Sequence, residues 1–397
     1  MTGVNGNDHT TAFVGATLLP VSGPPIQSGG LHIRGGKIRA IGRDVGIDGA
    51  DTVFDCRGLT IAPGLIDCHC HVGIVPEQVD WEYSDVNEDT DPVTSHVQAR
   101  DGIDFGDLGF QEALEGGVTS LLIHPGSSNV IGGLDLAVKT AGIDMEDRII
   151  REPAGMKAAW TAAGRHGKEG KYPRTRMGIA AILREELIKA RDYLEKDEKE
   201  RSSMDTQDEM RAANMARVLT GEIPIRIHST TPADFRSMLR IKEEFGIDIT
   251  IEHGDEGHLM ADELAAAGVP VVYGPFVGDR RFRVRPHTRP DAALLMSRAG
   301  VTISLQTDHP VIPIRDLRLQ GSLLIRFGGA EPDEILPMLT TNGAAIMGMQ
   351  DRIGSLEMGK DADLGLYSGH PLKVQSRVLT VFIDGRHVYG DLPAEVS

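Results

Sequence analysis

Between residues 63 and 353, short apolar runs alternate with stretches whose apolar positions recur at helical spacing. LIDCHCH, TSLLIHP, LAVKTA, RIIREPAG, IPIRIHS, DITIEHG, VPVVYGP and VTISLQTDHP read as strands, being short, rich in β-branched residues and bounded by turn residues. Between them, PADFRSMLRIKEEFG and HLMADELAAAG read as amphipathic helices, each ending in the Gly that suits a left-handed cap. Strand–helix alternation of this kind predicts an α/β protein with a parallel sheet. About eight such strands is the number that closes a (β/α)8 TIM barrel.

The ends of the chain follow a different grammar. AFVGATLL, LHIRGGKIRAIG and DTVFDCRGLTIA at the start, and SLEMGKDADLGLY and RVLTVFIDGRHVYG at the end, are short β-prone pieces punctuated by turn residues. Asp384-Gly385 is a hairpin signal. We therefore expect residues 1–62 and 354–397 to form one small composite β-sandwich domain, with 63–353 as the catalytic barrel. The charged stretch from TRMGIAAILREELIKA to RVLTGE reads as a longer helical insertion with a solvated face.

Composition narrows the function classes. The chain has 397 residues, 40% hydrophobic and 25% charged, with a net charge of −17, so it has material for a large core and lacks the positive balance that nucleic acid demands. No run is long and apolar enough for a membrane span, and the first residues carry no leader pattern. Three cysteines are too few for a disulfide framework, which favours a reducing cytoplasm. The expected partner is a small-molecule or peptide substrate, and the expected assembly a homo-oligomer.

The chemistry concentrates at strand ends. Strict alternation along LIDCHCH would put Asp67, His69 and His71 on one face and Cys68 and Cys70 on the other. On that reading the histidines are metal ligands and the cysteines are packing residues, since a zinc site built on sulfur would need a second cysteine pair. His228, His253 and Asp308 close three further candidate strands, and a parallel barrel gathers those ends on one face. Imidazoles with a carboxylate suit one or two divalent ions, zinc foremost, with manganese, iron or cobalt as alternatives. Such an ion lowers the pKa of water to about 7. Asp308 is then the expected catalytic proton carrier, and His253 either a second-metal ligand or a catalytic base and oxyanion stabiliser.

Taken together, APGLIDCHCHVG, the His, His and Asp strands and GSLEMGKDADLGLY resemble the amidohydrolase superfamily of metal-dependent hydrolases. EPAGMK, TRMGIAAILREELIKA, IEHGDEGHLMADELAAAGVPV and TDHPVIP resemble its imidazolonepropionase-related group most. The resemblance implies a (β/α)8 barrel and hydrolysis of an amide-type C–N bond. It matches His69, His71, His228, His253 and Asp308 to the metal ligands. It also implies a bridging ligand, a carbamylated Lys on the fourth strand or a Glu, for which Glu152 and Lys157 are available; Glu152 ends a predicted strand and is preferred. VGIVPEQVDWEY lacks the Arg by which imidazolonepropionases hold their substrate's carboxylate, which points to a different substrate.

Substrate contacts are expected from His124, at the end of the second strand, from Lys157, and from Arg280 and Arg281 in the basic run DRRFRVRPHTRP. The leading function is a metal-dependent amidohydrolase acting on a cyclic amide, dipeptide or peptide-derived substrate. Alternatives are peptide tailoring in natural-product biosynthesis, deamination of a heterocycle, or a non-catalytic scaffold on the same fold.

Overall fold

The computed structural model describes residues 9–77, 84–161, 170, 172–275 and 287–396. The opening strands are β1 (Thr10–Leu18), β2 (Ile26–Arg34), β3 (Lys37–Gly42), β4 (Thr52–Asp55) and β5 (Thr60–Pro63). The middle of the chain carries β6 (Leu65–Cys70), β7 (Val118–Ile123), β8 (Ile131–Leu134), β9 (Leu136–Lys139), β10 (Ile149–Arg151), β11 (Met156–Ala159), β12 (Ile225–Ser229), β13 (Ile249–His253), β14 (Val271–Tyr273) and β15 (Ile303–Leu305). The last strands are β16 (Leu364–Tyr367), β17 (Val378–Ile383) and β18 (Arg386–Gly390).

Both ends of the chain share one sheet. β5 pairs antiparallel with β16, Ile61 opposite Leu366, giving the order β18-β17-β16-β5-β1-β2-β3 with β4 beside β1. Phe13, Leu31, Ile38, Ile61, Leu364 and Phe382 form its own apolar core.

In the middle, β11 to β15 run parallel in sequence order. The helix Pro232–Phe245 links β12 to β13 and packs Phe235, Met238 and Ile241 inward. It begins on a capping box from Thr231 and Asp234 and stops at Gly246, whose φ of 68° meets the left-handed cap that its Gly predicts. The charged insertion folds into helices Arg176–Glu195 and Thr206–Leu219 between β11 and β12, with Ile179, Leu183 and Met215 buried.

Two expected strands are corrected. LAVKTA was expected to run parallel, but the segment 131–139 crosses antiparallel to its neighbours, as β8 against β11 and β9 against β7. RIIREPAG contributes only β10, antiparallel to β9; the strand that runs parallel beside β12 is Met156–Ala159, which carries Lys157. β6 meets the segment after β15 through His71 N–H to the His309 carbonyl at 2.9 Å and Asp308 N–H to the His69 carbonyl at 3.1 Å. Among the described residues, no helix is long and apolar enough to cross a membrane.

Candidate metal centre

β6 does not keep strict alternation. Its register against β7 shifts between Asp67 and Cys70, a bulge that separates the two cysteines. Cys68 joins an apolar floor with Ile66, Leu122, Val272 and Ala344, while Cys70 packs in the larger core with Leu121 and Ile123. Burial pushes the Cys68 thiol up to about 12, so it stays a protonated packing group. Asp67, expected beside the ligands, instead accepts from His69 N–H at 3.0 Å and from the Thr307 hydroxyl and N–H, tying β6 to the residues after β15.

Above the floor the imidazoles converge. His69 Nε2 and His71 Nε2 each lie 3.4 Å from Asp308 Oδ1. The His253 ring is 4.8 Å from His69 and 3.9 Å from His228, centroid to centroid. Lys157 Nζ is 3.3 Å from His69 Nε2 and fully buried. The backbone aims two of these side chains: His253 has φ 74° and Asp308 φ 53°, left-handed conformations that cost a non-glycine residue energy and are retained where function needs them.

The second nitrogen of each ring decides whether a metal fits. His71 Nδ1 faces the His124 carbonyl and His253 Nδ1 the Gly274 carbonyl, both at 2.8 Å. His69 Nδ1 faces Glu252 Oε2 at 2.8 Å and His228 Nδ1 the Ser127 hydroxyl at 2.7 Å. Carbonyls and carboxylates only accept, so Nδ1 carries the proton in His69, His71 and His253, and Nε2 keeps the lone pair. Rings held by Nδ1 and presenting Nε2 are what a divalent ion requires. The donor set fits.

Burial supports the same protonation states. It holds His69 below its ordinary value, helped by Lys157 and His124, and holds His228 down with help from His253 and Lys157. It also lowers Lys157, favouring the neutral amine. Burial would raise Asp308, and positive charge at the facing imidazoles, His253 first, would draw it well below its usual range, as a cation held there would.

The remaining expected residues divide. Glu152 is not brought to the cluster: it follows β10 and pairs with Arg100 at 2.7 Å, so of the two bridging candidates Lys157 is the one beside a ligand. His124 is fully buried, its ring 4.5 Å from that of His69, with Nδ1 2.8 Å from Asp135 and Nε2 3.0 Å from the Cys68 carbonyl. Lys157 lies among the ligands rather than in a substrate-contact position. Arg280 and Arg281 lie outside the described residues. A separate group, Glu77, Glu112 and His309, also brings its ligand atoms close together. His309 Nδ1 accepts from Ile314 N–H at 3.1 Å, so its Nε2 carries the proton toward Glu77, 3.1 Å away.

Sequence reasoning missed Glu252, Asp135, Arg226 and Ser127. One signal was present: Arg226 and His228 are two apart on one strand and so share its inner face.

A family model, the amidohydrolase family, matches residues 60–388. An imidazolonepropionase from Hahella chejuensis is 27% identical over 88% of this chain and 89% of its own length. Amidohydrolase tasK from Hapsidospora irregularis is also 27% identical over 85% of this chain, which spans only 37% of that relative. The solved structure of an amidohydrolase from Thermotoga maritima MSB8 has a TM-score of 0.90 at 37% identity, covering 96% of this chain and 100% of its own. By the extent of the family match, the chain belongs to the amidohydrolase family, hydrolases that act on carbon–nitrogen bonds.

Proposed function

We propose that the protein hydrolyses the amide-type C–N bond of a cyclic amide, dipeptide or peptide-derived substrate, on a (β/α)8 barrel formed by residues 63–353. Residues 1–62 and 354–397 form the composite β domain beside it. The observation that carries the reading is the set of Nε2 atoms turned inward by Nδ1 partners around Asp308 and Lys157.

His69, His71, His228, His253 and Asp308 would hold one or two divalent ions, zinc foremost. Lys157, fully buried and lowered by that burial, would be the residue to take up carbon dioxide as a carbamate, releasing a proton, and so to supply a further anionic ligand should two ions bind. A bound ion supplies Lewis acidity, polarising the substrate carbonyl and lowering the pKa of water. Asp308, 3.4 Å from both His69 Nε2 and His71 Nε2, takes the proton of the attacking water and passes it to the leaving nitrogen. His253, turned toward the cluster by its left-handed backbone, lends a further ligand or polarises the carbonyl oxygen. The imidazolonepropionase relatives, matched over nearly their whole length, support C–N hydrolysis.

Elemental analysis of the purified protein, paired with a screen over dipeptides, N-acyl amino acids and cyclic imides, tests the reading. The expected result is one or two equivalents of a divalent metal and turnover that a chelator abolishes. Metal-free protein that binds none on reconstitution overturns it.

A further inference from the structure

Directly under the ligands, between them and the apolar floor, lies a layer of charge with no surface open to water. Arg226, Glu252, Asp135 and His124 are each at most 1% exposed, and Arg226 is among the largest fully buried side chains. Its Nη2 donates to the Ile346 carbonyl at 2.9 Å, which anchors it to the helix Thr341–Ile346 below. Its Nε lies 3.4 Å from Asp135 Oδ2 and its Nη1 3.8 Å from Glu252 Oε1. Glu252 turns its other oxygen to His69 Nδ1 at 2.8 Å, and Asp135 faces His124 Nδ1 at 2.8 Å. The His124 ring in turn lies 4.5 Å from that of His69. One path from the guanidinium, through Glu252, reaches His69 by a hydrogen bond; a second, through Asp135 and His124, reaches it by charge and ring contact.

We propose that Arg226 is a positioning residue for the metal centre: it aims Glu252 at His69 and Asp135 at His124, so that His69 presents Nε2 to the ion. The proposal rests on the metal-centre reading given above.

A purely stabilising ion pair is the competing explanation, and the geometry argues against it. Taking a guanidinium and two carboxylates out of water is expensive, and apolar side chains of similar volume commonly serve a core as well or better. Among the described residues, no hydrogen bond reaches Arg226 Nε, Arg226 Nη1, Glu252 Oε1, either carboxylate oxygen of Asp135 or His124 Nδ1. Charge alone balances those atoms, a poor arrangement for rigidity in itself. What the layer does supply is a charge-assisted bond to the ligand's far nitrogen, which fixes its tautomer and makes Nε2 a better donor to a metal. Removing the guanidinium would leave two buried carboxylates without their shared counter-charge, and the aim of Glu252 would be the first casualty.

The test uses full-length protein with Arg226→Met, Arg226→Lys, Glu252→Gln and the Arg226→Met/Glu252→Gln double variant. Zinc affinity is read by chelator competition, the ligand field by the visible spectrum of the cobalt-loaded protein, and folding by thermal unfolding of the metal-free form. Glu252→Gln and Arg226→Met should each weaken zinc by roughly 10–100-fold and shift the cobalt bands. Combining them should add little, because both act through His69, and Arg226→Lys should recover part of the loss.

Parental zinc affinity and cobalt spectrum in folded Glu252→Gln and Arg226→Lys would overturn the proposal, as would losses that add fully in the double variant. If Arg226→Met does not fold, Glu252→Gln and Arg226→Lys decide. His69→Ala separates the two readings. Should it keep its metal, the metal centre itself is wrong; should it lose metal while Glu252→Gln and Arg226→Lys bind as the parent does, only the role of Arg226 fails.

Discussion

His69 and Asp308 are joined twice. Asp308 N–H donates to the His69 carbonyl at 3.1 Å, and their side chains meet at 3.4 Å between Nε2 and Oδ1. The contact that brings β6 to the segment after β15 therefore also places a carboxylate beside the ligand, so the two residues should fail differently. His69→Ala removes a ligand, and metal content should fall to background while the apolar cores keep the fold. Asp308→Asn keeps an oxygen donor but loses the proton carrier. It should retain part of the metal and lose roughly 10²–10⁴-fold in turnover. Elemental analysis and steady-state rates on both variants check this, and a parental rate in Asp308→Asn would assign the proton to another group.

Lys157 is the buried amine of the cluster, 3.3 Å from His69 Nε2 and lowered by burial. A protonated lysine there would repel a cation, whereas a carbamate would attract one. Protein purified with bicarbonate and zinc should show a carboxyl adduct at Lys157 by native mass spectrometry, and Lys157→Met should bind less metal. Parental stoichiometry in Lys157→Met, together with no adduct, would remove the lysine from the metal site.

Acid should destabilise the metal-free protein through the imidazoles. Burial holds His69 and His228 below their ordinary 6.5. As pH falls through that value the unfolded chain takes up protons that the folded one refuses, so folding stability drops. Asp67 runs the other way, because burial pushes it up to about 7 and its folded form keeps a proton that the unfolded chain releases. The clean measurement is thus a difference: urea midpoints at pH 7.5 and 5.5 for the parent and for His228→Asn. The parent should lose more on acidification, by up to about 1.4 kcal/mol, since pH 5.5 lies one unit below the ordinary value of His228. Equal losses would mean that His228 titrates normally.

Much of this centre was legible in the chain, and the illegible parts share a cause. Histidines at strand ends and an aspartate after the last strand can be read from alternation and turn signals, because a parallel sheet puts those ends together. Alternation failed inside LIDCHCH, where the bulge after Asp67 sends Cys68 and Cys70 to different cores. It failed again around Glu152. The antiparallel crossing of residues 131–139 moves the parallel strand onward to Met156–Ala159, and no local pattern announces a reversal set by distant pairing. His253 follows directly after Glu252 and reaches the site only through its left-handed backbone, while Glu252 itself faces inward and was overlooked. The terminal strands were readable as β structure because both ends repeat the same short hairpin grammar, and they share one sheet.

That terminal unit is fastened to the rest by Lys139, and its removal should be costly. Lys139 sits at the end of β9, 1% exposed, with Nζ 2.8 Å from Asp361, 3.2 Å from Asp363 and 2.6 Å from Asp384. Burial alone would lower the lysine, but the three carboxylates overcome it and hold it above its usual range. Lys37 and Arg352 also pair with Asp361, so Asp363 and Asp384 depend most on Lys139. Lys139→Met would leave buried carboxylates facing one another and should destabilise by about 3–5 kcal/mol at pH 7. Burial already raises Asp363 to about 6, so a proton is its readiest relief. The gap between parent and variant should therefore narrow as pH falls from 7 to 5, and Asp363→Asn should recover part of the loss at neutral pH. Denaturant midpoints at the two pH values, with metal content measured alongside, test this. A gap that widens in acid would show that charge repulsion is not what the lysine relieves, and a loss of metal at neutral pH would show that the junction also supports the catalytic face.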